Sequence, residues 1–214
     1  MQRELHPEIL DTLPPDHPDA IHNRRDLRLT NRMMGNGRWW EQTLPPVLRP
    51  GERVLELGAG TGELALRLAG LGVVVDGLDR WPRPAGWPAA HEWWQTDLRR
   101  FDGYDRYQAL IGNLIFHQFS AAELADFGRR LPDSVRVILA CEPQRRRLAQ
   151  WAFAGLAPLI RANYVSRHDA HVSIAAGFRD SELPEFLGLD PARWSWHCHT
   201  TTRGAFRMVA LRRP

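Results

Sequence analysis

The residues that most restrict the chemistry lie in the run VLELGAGTGEL, Val54 to Leu64, where Gly58, Gly60 and Gly62 alternate after an apolar stretch. Glycine admits positive φ and lets a ligand approach the backbone with no Cβ in the way. Helix-forming residues follow at once, so free N–H groups face whatever the loop cradles. The dinucleotide fingerprint G-x-G-x-x-G carries its last glycine where this chain has Glu63. A carboxylate there opposes a pyrophosphate, so the G-x-G-x-G spacing argues against NAD. Three more acids surround the loop. Glu56 closes the apolar run, where an acid can meet a cationic or amino-bearing ligand. Asp79 ends the next apolar run, 21 residues after Gly58, where a carboxylate takes both hydroxyls of a ribose. Asp97 is placed to accept a hydrogen bond from an adenine amino group. Together these acids suit a neutral-to-cationic nucleoside.

A second set of residues has the chemistry to meet a substrate. The segment GNLIFHQF brings Asn113, Ile115 and His117 to the same sheet edge. An imidazole with an ordinary pKa near 6.5 can take a proton at neutral pH, so His117 reads as a general base or as a polar cap on the next helix. His168 and Asp169 are a second imidazole–carboxylate candidate, although neighbours in an extended loop point apart. Arg167 is either an anchor for an acidic group or a surface arginine, and Arg38-Trp39-Trp40 either an aromatic lid or core packing. His197 and His199 share one strand face with Cys198 on the other, and no further ligands have usable spacing, so no metal is expected.

These residues need elements that hold them. Residues 1–20, with four prolines, read as an irregular or partly ordered arm, followed by a helix over 20–34 that Gly35 and Gly37 break. Strands are expected at 53–57, 73–79, within 90–97, at 106–113 and at 134–142. Helices are expected at 62–71, at 120–131 with Ser120 as N-cap, and within 143–163. Strands alternating with helices at this spacing specify a parallel, doubly wound α/β sheet. RWSWHCHT and AFRMVALRR, joined by TTRG, read instead as a terminal antiparallel hairpin. The expected division is an amino-terminal arm and helical lid over 1–50 and a main domain over 51–214.

VLELGAGTG, the strand-end Asp79 and QTDL resemble the class I S-adenosylmethionine-dependent methyltransferases over residues 50–142. LTNRMMGNGRWW and YVSRHDAHVSIAAGF further resemble bacterial small-molecule members that act on phenols, quinones or polyketide-type compounds. The resemblance implies a Rossmann-like sheet of seven strands whose last strand is reversed, with S-adenosylmethionine as donor and S-adenosylhomocysteine as product. It places Gly58, Gly60 and Gly62 beside the methionine part, Glu56 near its amino group, Asp79 with Arg80 at the ribose, Asp97 and Leu98 at the adenine, and Asn113 nearby. Arg38, Trp39, Ile115 and Arg167 then belong to the acceptor side, with His117 or His168 as the catalytic candidate. Transfer to an oxygen of a phenol-like acceptor is the expected reaction. An RNA or protein methyltransferase and a non-catalytic cofactor-binding regulator are the alternatives.

The composition is consistent with that reading. All 28 basic residues are arginine, yet the net charge is only +3, so a nucleic-acid surface is not expected. Two distant cysteines and no signal-type amino terminus favour the cytoplasm, and no apolar run reaches a membrane span. A monomer or homodimer acting on a small molecule is the expected state.

Overall fold

A computed structural model describes residues 1–214. Seven strands form one sheet: β1 (Val54–Leu57), β2 (Val75–Asp79), β3 (Trp93–Gln95), β4 (Ala109–Asn113), β5 (Val137–Pro143), β6 (Trp194–Thr200) and β7 (Ala205–Arg212). Their order is β3-β2-β1-β4-β5-β7-β6, parallel except for β7, which runs antiparallel to both neighbours. The order reverses between β1 and β4, and a crevice opens outside their carboxyl ends there.

Helices cover the sheet: α1 (Pro18–Met34), α2 (Asn36–Thr43), α3 (Glu63–Ala69), α4 (Ala121–Arg129), α5 (Arg147–Leu156), α6 (Tyr164–Ala176) and α7 (Glu182–Phe186). β1, β2, β4 and β5 are buried on both faces, and their side chains alternate between two cores. Leu55, Leu57, Leu110 and Ile138 enter one core with Phe127 and Phe206. Val54, Ile111, Val137 and Leu139 enter the other with Trp39 and Trp40. That double burial is why these segments read as continuous apolar runs rather than alternating ones.

Local signals set several boundaries. Gly35 ends α1 at φ 71°, and α2 begins immediately, with Gly37 inside it. Ser120 and Glu123 form a reciprocal capping box at the start of α4. One expectation is corrected: the segment 164–176, read as an extended loop, is α6, with Asn163 as its cap. The amino-terminal arm is irregular but for a 3-10 turn, Leu10–Thr12, and is tied to the body by side-chain bonds.

Candidate functional site

One cleft of about 1000 Å³ opens over the carboxyl ends of β1, β2 and β4. Its floor is the loop after β1. Gly58, Gly60 and Gly62 all adopt positive φ, at 64°, 55° and 75°. Gly60 is the one whose added Cβ would enter open space, whereas Gly58 backs onto Ile115 and Gly62 onto Trp87. Gly58 and Gly60 therefore line the cleft, and Gly62 lies beneath the loop against an indole.

Acids ring this floor. Glu56 is buried, its carboxylate accepts the Ala65 N–H at 3.1 Å, and no cation offsets its burial. Desolvation pushes it up to about 8, with Asp79 adding to the rise. Asp79 accepts the N–H groups of Gly60 at 2.8 Å and Trp81 at 2.9 Å, so it also fixes the loop. Asp97 is bridged by Arg99 at 2.6 Å, which holds it below the usual carboxylate range. Leu98 and Asn113 line the same cleft, and Trp40 donates to Asn113 Oδ1 at 3.3 Å. Arg80 also lines it and pairs with Asp11 of the arm at 3.2 Å.

The acceptor side departs from expectation. His117 lines the cleft but is 3% exposed and lies between two carboxylates. Its Nδ1 faces Glu142 at 2.6 Å and its Nε2 faces Glu8 at 3.1 Å. Those hydrogen bonds outweigh desolvation and raise it to about 10, so the ring is an imidazolium at neutral pH. An imidazolium has no lone pair to take a proton, and the general-base expectation for His117 is corrected accordingly.

Ile115 also lines the cleft, but Arg38, Trp39, Arg167 and His168 do not. His168 points away, its side chain 43% exposed, while the adjacent Asp169 turns inward. The cause is that 164–176 is helical, so neighbours diverge by about 100°. Arg167 donates to the Ala162 carbonyl outside the cleft. Trp39 packs in the core against Trp40 beneath Arg207, and Arg38 is an exposed residue of α2.

Three carboxylates organise this side of the cleft, and the sequence singled out only Asp169 among them. Glu8 reaches in from the arm and accepts from His117, from Gln118 Nε2 at 3.3 Å and from the Ser173 hydroxyl. Asp169 accepts the N–H groups of Ile9 at 2.8 Å and Leu10 at 3.0 Å, capping the arm's turn. Glu142, at the end of β5, accepts the N–H groups of Ile115 and Phe116 as well as bonding His117. Of the two that were missed, Glu142 has a local signal, an acid near the end of an apolar strand, and Glu8 has none.

No protein-family model matches the sequence, and no curated protein matches it either. Solved structures do match. The plantazolicin methyltransferase BamL, in complex with a triazolic desmethylPZN analog and SAH, superposes with a TM-score of 0.69 at 10% identity, covering 95% of this chain and 92% of that one. The plantazolicin methyltransferase BpumL, with a pentazolic analog and SAH, gives 0.70 at 10% identity, with 96% and 93% covered. The chain has a methyltransferase fold. Human N-acetylserotonin methyltransferase, in complex with SAM, matches at 0.60 and 12% identity, over 94% of this chain and 60% of that one. The reversed β7 and the glycine loop at the switch point are thus parts of a methyltransferase fold. No helix is long and apolar enough to cross a membrane.

Proposed function

We propose that this chain transfers a methyl group from S-adenosylmethionine to a small organic acceptor. The observation that carries the reading is the floor of the cleft. An open cradle at Gly60, a buried carboxylate with no cation beside it at Glu56, and a strand-end carboxylate at Asp79 meet there. A nucleoside bearing an ammonium group fits that donor and acceptor set, and structures of the same fold carry SAH or SAM.

When bound, S-adenosylmethionine supplies a methyl group already activated by its positive sulfonium. The chain's task is alignment and exclusion of water. Glu56 would hold the amino group, Asp79 with Arg80 the ribose hydroxyls, and Asp97 with Leu98 the adenine edge. Gly58 and Gly60 keep the backbone accessible, and Gly62 lets Trp87 pack under the loop. Residues 1–50 serve as arm and helical lid to the methyltransferase domain over 51–214. Glu8, held in place by His117, faces the acceptor; a phenol-like oxygen remains the expected attacking atom.

A small acceptor is favoured over nucleic acid because three of the six arginines that line the cleft are paired with acids. Arg28 pairs with Glu63 at 3.0 Å, Arg80 with Asp11, and Arg99 with Asp97 and Glu123. The cytoplasm is the proposed location, on the two unpaired cysteines.

Calorimetry of the full chain with S-adenosylhomocysteine and with NAD tests the reading. Binding of the sulfur nucleoside is expected; binding of NAD in its place overturns it. Asp79→Ala should weaken S-adenosylhomocysteine by about 1.5–3 kcal/mol, the range for a hydrogen bond to a charged group. Unchanged affinity would remove Asp79 from the site.

A further inference from the structure

α1 and α6 cross above the cleft, each presenting a polar stripe at helical spacing. Asn23 and Asp26 of α1 are 1% and 2% exposed, yet both line the cleft. Asp26 Oδ2 accepts the Ser166 hydroxyl at 2.7 Å. Its Oδ1 accepts no hydrogen bond, and neither does Asn23 Oδ1. Arg25 Nη1 lies 3.8 Å from Oδ1 and His22 Nε2 3.5 Å from Oδ2, both beyond good hydrogen-bond range. Arg24, the guanidinium between them in sequence, bonds the Pro15 carbonyl through Nη2 and stacks on Trp81, while its buried Nη1 has no partner. A buried carboxylate oxygen and a buried amide oxygen left bare three residues apart on one helix cost free energy unless a donor meets them.

We infer that this end of the cleft binds a protonated amine carried by the methyl acceptor, with Asp26 and Asn23 as its hydrogen-bond acceptors. The inference rests on the methyl-transfer reading and specifies its acceptor. An ammonium brings three donors and a positive charge to a carboxylate oxygen and an amide oxygen that both lack a donor.

Carboxylates from the arm and α6 line the same end of the cleft. Glu8 is offset by His117 and Asp11 by Arg80, but the Asp169 carboxylate meets only backbone N–H groups and the half-exposed His168. Burial raises Asp11 and Asp169, and neighbouring carboxylates raise both further, a repulsion that a bound cation would relieve. The facing wall is α5, whose Leu148, Phe153 and Leu156 offer apolar surface. The acceptor is therefore amphiphilic: an apolar body along α5 and an amine at the crossing of α1 and α6. Arg146 and Arg203 stand exposed at the mouth, so an anionic acceptor is the rival outcome.

The test titrates the full chain with three matched probes: 3-phenylpropylamine, 3-phenylpropanol and 4-phenylbutanoate. Each is run with and without saturating S-adenosylhomocysteine. The amine should bind about ten-fold tighter than the alcohol, as a charge-assisted hydrogen bond implies, and the carboxylate weakest. Asp26→Asn, isosteric and still able to meet Ser166, should remove that preference while leaving S-adenosylhomocysteine affinity and Tm unchanged. Asn23→Leu should reduce it separately, which covers the case of a poorly folded Asp26 variant. Equal or tighter binding of the alcohol or carboxylate, no binding of the amine, or an amine preference that survives both substitutions overturns the inference. Absence of S-adenosylhomocysteine binding alone sinks the methyl-transfer reading, since the amine preference is scored without it.

Discussion

Glu56 and His117 are buried ionisable groups whose environments shift them in opposite functional senses. Glu56, raised to about 8, is mostly protonated at neutral pH before any ligand arrives. An ammonium beside it favours the carboxylate, so cofactor binding at pH 7 should release a proton and should tighten as pH rises toward 8. Calorimetry in buffers of differing ionisation enthalpy measures that release, and Glu56→Gln should abolish it. His117 is raised to about 10 in the folded chain, against an ordinary value near 6.5. Its contribution to stability is therefore complete below about 6.5 and drains away as pH climbs to 10. Denaturant titrations across that window should show stability falling on the alkaline side. His117→Gln should flatten the slope and cost roughly 3–5 kcal/mol at neutral pH, because two buried carboxylates lose their cation. A stability curve of wild type that is flat from pH 6.5 to 10 would contradict the imidazolium.

The amino-terminal arm is the element that the sequence described least well. Its prolines and lack of periodicity indicate a loop, and they say nothing of what the loop touches. Arg3 donates to the carbonyls of Ala176, His117 and Phe119, and its guanidinium lies 4.8 Å from the centre of the Phe178 ring. Each partner is distant in sequence and carries no local signature, so only the folded chain reveals the strap. Arg3→Ala should leave cofactor affinity near wild type, lower Tm by a few degrees, and expose the arm to limited proteolysis before the body. Equal protease resistance in both forms would show that the arm is held by other contacts. The elements that chemistry marks locally were legible: the glycine loop, the Ser120 cap, the Gly35 break and the five apolar strands. α6 was missed because a helix-compatible segment rich in histidine and serine resembles a loop until its cap is seen at Asn163.

At the scale of the molecule, the sheet and its reversed hairpin followed from the order of apolar runs, because double burial leaves an unmistakable pattern in β1, β4 and β5. The far end of the cleft did not, since it is assembled from α1, α6 and the arm, three segments whose polar residues look like ordinary surface. This division predicts a hierarchy of hydrogen exchange. Amides of β1, β4 and β5 should exchange only through global unfolding, and those of Glu4, Ile9 and Leu10 through a local opening of much lower free energy. Uniform protection across both groups would mean that arm and sheet open together.

That strap also has a history within each molecule. Arg3 waits for partners 114 to 173 residues further along the chain. During synthesis the glycine loop can close against β2 long before α6 has left the ribosome, while Glu8 has neither His117 nor Ser173 to hold it. The glycine-loop half of the cleft is thus laid down early, and the other half is sealed last, by residues made long before their partners.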